Sequence, residues 1–96
     1  MESLTEFELE ILEILPVEPI GVSLAELADD LLNNRNQQAK GRIKRALKNI
    51  RKTLGGLYVH SGDDDFGCYG VKMYGIPRAK MPAVREFFAA KTVQDV

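Results

Sequence analysis

Apolar residues recur at helical spacing over the first half of the chain and then give way to short β-prone runs. Thr5 is followed three residues later by Glu8, and Leu4 and Leu9 are placed as a hydrophobic staple, which predicts a helix start. Phe7, Ile11, Ile14 and Leu15 supply its apolar face. Pro16, Pro19 and Gly21 end that helix and make a connector in which Ile20 and Val22 read as an extended stub. The start signal then repeats: Ser23 and Glu26 form a second capping box and Val22 and Leu27 a second staple. Leu24, Leu27, Ala28 and Leu31 are the inward stripe of a short helix ending near Leu32.

Asn33, Asn34, Arg35 and Asn36 are loop residues, and an Asn there can cap the next helix. That helix is long and covers residues 36–54. With Ile43 at the centre of its buried face and about 100° per residue, Ala39, Ala46, Leu47, Ile50 and Leu54 cluster around it. Gly55 and Gly56 stop it. Leu57 to His60 and Cys68 to Tyr74 then read as the strands of a hairpin, with Asp63, Asp64 and Asp65 at its tip. Gly75, Ile76 and Pro77 close the hairpin, and Pro82 fits the first turn of a last helix carrying Val84, Phe87 and Phe88. No repeat or low-complexity linker interrupts this order, so the expectation is one domain over residues 1–92 and a short tail over 93–96.

Composition narrows the picture. Ninety-six residues with 45% hydrophobic content suit one core and are too few for a two-lobed enzyme with a deep cleft. The single cysteine, Cys68, excludes an internal disulfide framework and reads as a small apolar side chain at least half buried. No apolar run approaches a membrane span and the chain opens on acids rather than a signal peptide, so the expected setting is soluble and cytoplasmic.

Charge changes the picture more. Residues 1–30 carry nine Asp or Glu and no base, whereas Arg35 to Lys52 holds eight Lys or Arg and no acid. The formal net charge of -1 therefore conceals a dipolar molecule whose basic pole is the long helix. An ordinary solvated helix interleaves signs for pairing one turn apart, so an acid-free run points to an anionic partner.

The order of helix, helix, long basic helix, two-stranded hairpin and helix resembles the winged helix-turn-helix superfamily over essentially the whole chain. The opening LTEFELEILEIL also looks like the first helix of several bacterial winged-helix repressors. The resemblance implies an α+β fold: a three-helix bundle, a hairpin wing over residues 57–74 and an added C-terminal helix. It further implies that residues 36–54 enter the major groove of double-stranded DNA and that the C-terminal helix builds a homodimer.

The residues themselves fit that role. Gln37 and Gln38 are able to pair with adenine, and Arg42 or Arg45 with guanine. Lys40, Lys44, Lys48, Arg51 and Lys52, with Lys72 on the hairpin, are the expected phosphate contacts. Gly41 costs about 1 kcal/mol relative to alanine inside a helix; close backbone approach to DNA and simple tolerance are both open. Arg78 and Lys80 are open in the same way, as phosphate contacts or as surface charge. The alternative function is a protein-interaction module that docks an acidic partner on the basic helix, or a partner on the acidic tip.

Asp63, Asp64 and Asp65 would repel DNA, so the tip is expected to point away from it if DNA is the ligand. They lack the spaced ligands of a calcium loop, and His60 lacks a second zinc ligand. Tyr58, Tyr69 and Tyr74 read as packing the hairpin on the helices with wet hydroxyls. Phe87 and Phe88 point about 100° apart on a helix and are not expected to face one core together, so one of them is a candidate dimer contact, with fuller packing on the domain as the alternative. No glycine-rich phosphate loop, nucleophile elbow or Cys-His pair is present, which argues for a binding module rather than an enzyme, with no cofactor and no small-molecule ligand.

Overall fold

Helix α1 (Glu6–Ile14) begins where Thr5 Oγ1 accepts from Glu8 N at 3.2 Å and the Glu8 carboxylate accepts from Thr5 N at 2.8 Å, the reciprocal capping box in full. This is a computed structural model that describes residues 4–94, with side-chain surroundings for residues 4–89. Pro16 disfavours the helical conformation at Leu15, which turns extended (φ -65°, ψ 128°) and still enters the core one turn beyond Ile11. The inward stripe is Glu8, Ile11, Leu12 and Leu15, the last three lying three, four and seven residues after the first, and Ile14, expected inside, lies to its side and is 39% exposed.

Helix α2 (Leu24–Leu32) is capped by Ser23 Oγ, which accepts from Glu26 N at 3.2 Å. The expected second half of that box is missing, because Glu26 Oε1 accepts instead from Asp65 N at 2.8 Å, across to the hairpin. Asn33 ends α2 in the left-handed region (φ 52°), which Asn tolerates better than most side chains. Helix α3 (Gln37–Leu54) starts on Asn36, whose Oδ1 accepts from Ala39 N at 2.8 Å, and ends on Gly55 at φ 88°. Its buried residues are Ala39, Ile43, Ala46, Leu47, Ile50 and Leu54, as the periodicity requires. Ile43 and Ile50 are fully buried, each stabilising the fold by about 1.5–3 kcal/mol relative to exposure. Together with Ile11, Leu12 and Leu27 they form the centre of the single core.

Strands β1 (Tyr58–Gly62) and β2 (Val71–Gly75) pair antiparallel, with Val59 opposite Tyr74 and Ser61 opposite Lys72. Both strands lie slightly later than the β-prone runs, because residues 63–70 form a structured tip instead of extending the pair. On its other edge β2 is covered by the connector. Val22 and Tyr74 exchange backbone hydrogen bonds of 2.9 and 2.7 Å, and Ile76 N donates to Pro16 O at 2.8 Å. Val22 thus forms the expected extended stub, while Ile20 stands 64% exposed. The chains approach so closely that a Cβ on Gly75 would lie 2.5 Å from the Ile20 carbonyl oxygen.

A 3-10 turn (Arg78–Lys80) leads into α4 (Met81–Gln94), where Val84 completes the core. Because α4 runs to Gln94, residues 93 and 94 belong to the helix rather than to the expected tail; residues 95–96 lie outside the described residues. The whole is a small α+β domain of four helices and a two-stranded antiparallel hairpin among the described residues.

Candidate nucleic-acid interface

The basic helix is buried along one stripe only, so its cations are forced outward. Lys44, Arg45, Lys48, Arg51 and Lys52 are all exposed, and Lys40 is half-buried. Stepping at 100° per residue around α3, Lys40, Arg51, Lys44 and Lys48 fall on the side nearest the hairpin, with Lys52 and Arg45 beyond them at the apex. The hairpin answers with Lys72, which shares a sheet face with Val59 and Tyr74 because the three alternate along paired strands. That face and α3 enclose a groove of about 460 Å³. Leu57, Val59 and Tyr74 make its apolar floor, and Lys44, Lys48, Arg51 and Lys72 its rim. Among the described residues no ion pair neutralises Lys44, Arg45, Lys48 or Arg51.

Base-reading candidates divide into two sets. Gln37 and Gln38 are exposed in the first turn of α3, and an added Cβ at Gly41 would meet nothing within 4 Å. Arg45 is exposed at the apex. Arg42 is on the other flank: its guanidinium carbon lies 5.1 Å from the centre of the Phe7 ring, a cation–π contact that holds it toward α1. Asn49, also on that flank, donates to Glu8 Oε2 at 2.8 Å.

The acidic tip is a folded structure held from within by one of its own aspartates. Asp64 is buried: its Oδ1 accepts from Phe66 N and Cys68 N at 3.0 and 2.9 Å, and its Oδ2 accepts from the Ser23 hydroxyl at 3.3 Å. With Asp65 N on Glu26 and Arg35 stacked 4.1 Å over the Phe66 ring, the tip is fastened to α2 and to the loop before α3. Only Asp63 and Asp65 face solvent. Among the described residues no cluster of three His, Cys, Asp or Glu side chains could hold a metal ion.

Several local expectations are corrected. Cys68 is exposed, since its backbone N–H and not its side chain anchors the tip. Tyr69 is 81% exposed and packs on nothing in the core, whereas Tyr74 is partly buried against it. His60 is half-buried on the sheet face away from α3. Phe87 and Phe88 are both partly buried against the core, so the rule that one ring must turn away does not hold. Phe88 lies in the cleft between α1 and α4 with Leu12, Leu15 and Ile76. Arg78 is tied to the connector, its Nε donating to Glu18 O at 3.1 Å. An added Cβ on Gly55 would lie 3.2 Å from Lys80 Nζ, which places that ammonium at the C-terminus of α3, the end a cation favours.

Sequence alone points neither to the groove floor of Leu57 and Val59 nor to the Asp64 anchor. An Asp two residues before a backbone N–H donor is a turn signal, but three consecutive aspartates give no basis for choosing the middle one. Comparison with known protein families, curated proteins and solved structures finds no match for this chain. Among the described residues no helix is long and apolar enough to cross a membrane.

Proposed function

We propose that this chain is a double-stranded DNA-binding domain of winged-helix type that lays α3 in the major groove and serves as a small transcriptional or replication regulator. The observation that carries the reading is the arc of cations from Lys40 through Lys44, Lys48 and Arg51 to Lys72, continuous across two elements and interrupted by no exposed acid, the nearest carboxylate being the buried Asp64. Eighteen helical residues span about 27 Å, long enough to follow a groove whose phosphates flank the helix on both sides. Gln37, Gln38 and Arg45 are the base-reading side chains, and the arc supplies phosphate contacts. Asp64 turns inward onto the Ser23 hydroxyl, so of the three tip acids only Asp63 and Asp65 are exposed.

The test is a salt series of binding to random duplex DNA by the wild type and by a variant with Lys44, Lys48 and Lys72 changed to alanine. All three are exposed, so folding survives. The wild type should lose affinity steeply with salt. The variant should bind weaker by orders of magnitude, with a slope shallower by roughly two to three. An identical slope in the two proteins refutes phosphate contact by this arc.

A further inference from the structure

The acids of α1 repeat the spacing of the bases on α3. Glu6, Glu10 and Glu13 step by four and then three residues along α1 and are all exposed; Lys44, Lys48 and Arg51 take the same steps along α3 and are all exposed. On each helix the second and third charges stand about 6 and 10 Å beyond the first along the axis and share one face. Each stripe also has an apolar flank left in solvent. Ile14, 39% exposed, borders the acids, and Val59, 42% exposed, lies on the groove floor beside the bases.

We propose that the acidic face of α1 in one copy docks in the α3–hairpin groove of a second copy, so that the chain self-associates head to tail through salt-sensitive contacts. The complementarity is of sign, spacing and apolar content together: three carboxylates meet three cations in register while Ile14 covers Val59. Phosphates alone have no use for that apolar floor. The two faces are different surfaces of the same chain, so the contact is heterologous and can propagate. It occupies Lys44 and Lys48, so DNA and a second copy compete for one surface. The docking geometry stands without the DNA reading.

The test is sedimentation velocity at high micromolar concentration in about 50 mM and about 500 mM salt, a range over which exposed charges become largely screened. The wild type should form concentration-dependent oligomers at low salt, with its association weakened roughly tenfold or more at high salt. Two variants separate the faces: Glu10→Lys with Glu13→Lys, and Lys44→Glu with Lys48→Glu. Each alone should be monomeric. Mixed in equal amounts they should associate again, because one retains the intact α3 groove and the other the intact α1 face, and the two reversed faces also oppose each other in sign. If circular dichroism shows either variant misfolded, glutamine at the same positions replaces it and should weaken association by roughly tenfold. A wild type that stays monomeric at low salt, association that persists in either variant, or a mixture that stays monomeric overturns the proposal. DNA titration of the α1 variant distinguishes the two readings: its affinity for duplex should equal or exceed that of the wild type, whatever the DNA affinity of the α3 variant.

Discussion

Asn49 Nδ2 donates to Glu8 Oε2 across 2.8 Å, fastening the basic helix to a carboxylate that is only 7% exposed. The other Glu8 oxygen caps α1 through Thr5 N, so a single side chain closes both the helix start and the α1–α3 contact. Removing the donor strands a charge that water barely reaches. Asn49→Ala should lower the free energy of unfolding by about 1–3 kcal/mol in urea titration. Asn49→Asp, which sets two carboxylates against each other, should cost more. Equal stability of wild type and Asn49→Ala would show that the bond contributes nothing.

Among the three aspartates of the tip, only Asp64 has structural partners on both sides. Asp64→Ala should cost about 2 kcal/mol or more, because two backbone donors and the Ser23 hydroxyl lose their acceptor together. Asp63→Asn and Asp65→Asn should stay within about 0.5 kcal/mol of wild type, as exposed surface changes do. Thermal unfolding of the three single variants checks the ranking, and a uniform response would contradict the burial of Asp64.

Gly41 and Gly75 should respond to alanine in opposite directions. The Cβ at Gly41 meets open space, so Gly41→Ala should stabilise the domain by about 1 kcal/mol through helix propensity. At Gly75 the Cβ would press on two backbone carbonyls, of Ile20 at 2.5 Å and Pro16 at 3.1 Å, and the fold should lose about 2 kcal/mol or more. Gly41→Ala also discriminates between the two roles open for that residue. A more stable protein that binds duplex more weakly needs the backbone close to DNA, whereas unchanged affinity means the glycine is only tolerated.

Arg42 and Arg45 carry the same side chain to different surroundings. Arg42 is stacked on Phe7 toward α1 and Arg45 stands at the apex of α3. Arg45→Ala should therefore reduce discrimination between the preferred site and random DNA by roughly 1–3 kcal/mol, and Arg42→Ala by much less. Competition binding with both DNAs measures this, and a larger loss for Arg42 would place the reading face on the wrong flank.

The helices are legible in sequence because their information is local. Thr5, Ser23 and Asn36 each cap the helix that begins after them, and the apolar period of α3 names its six buried residues. Elsewhere the local pattern misleads. Ile14 follows Ile11 by three residues and so reads as inward, but the buried stripe of Glu8, Ile11, Leu12 and Leu15 is centred between Ile11 and Leu12, which leaves Ile14 roughly 110° to one side. Glu26 has the spacing to close its own capping box, and it turns instead to Asp65, a partner far along the chain. Of the proposed interface, the charges are readable directly, since an acid-free run is visible in any order of folding. The apolar floor is not, because Leu57 and Val59 meet α3 only once the hairpin folds back on it.

The paired backbones of Val22 and Tyr74 join two segments that lie far apart along the chain. Val22 immediately precedes the Ser23 cap of α2, and Tyr74 sits in β2, which is synthesised after α3. A nascent chain that has emerged only through α3 has the residues of three helices and no partner for the start of the second. The cap, the connector and the hairpin should therefore become protected against amide exchange together and late, as one cooperative unit. The half of α3 that faces the hairpin is then organised by the last strand to arrive.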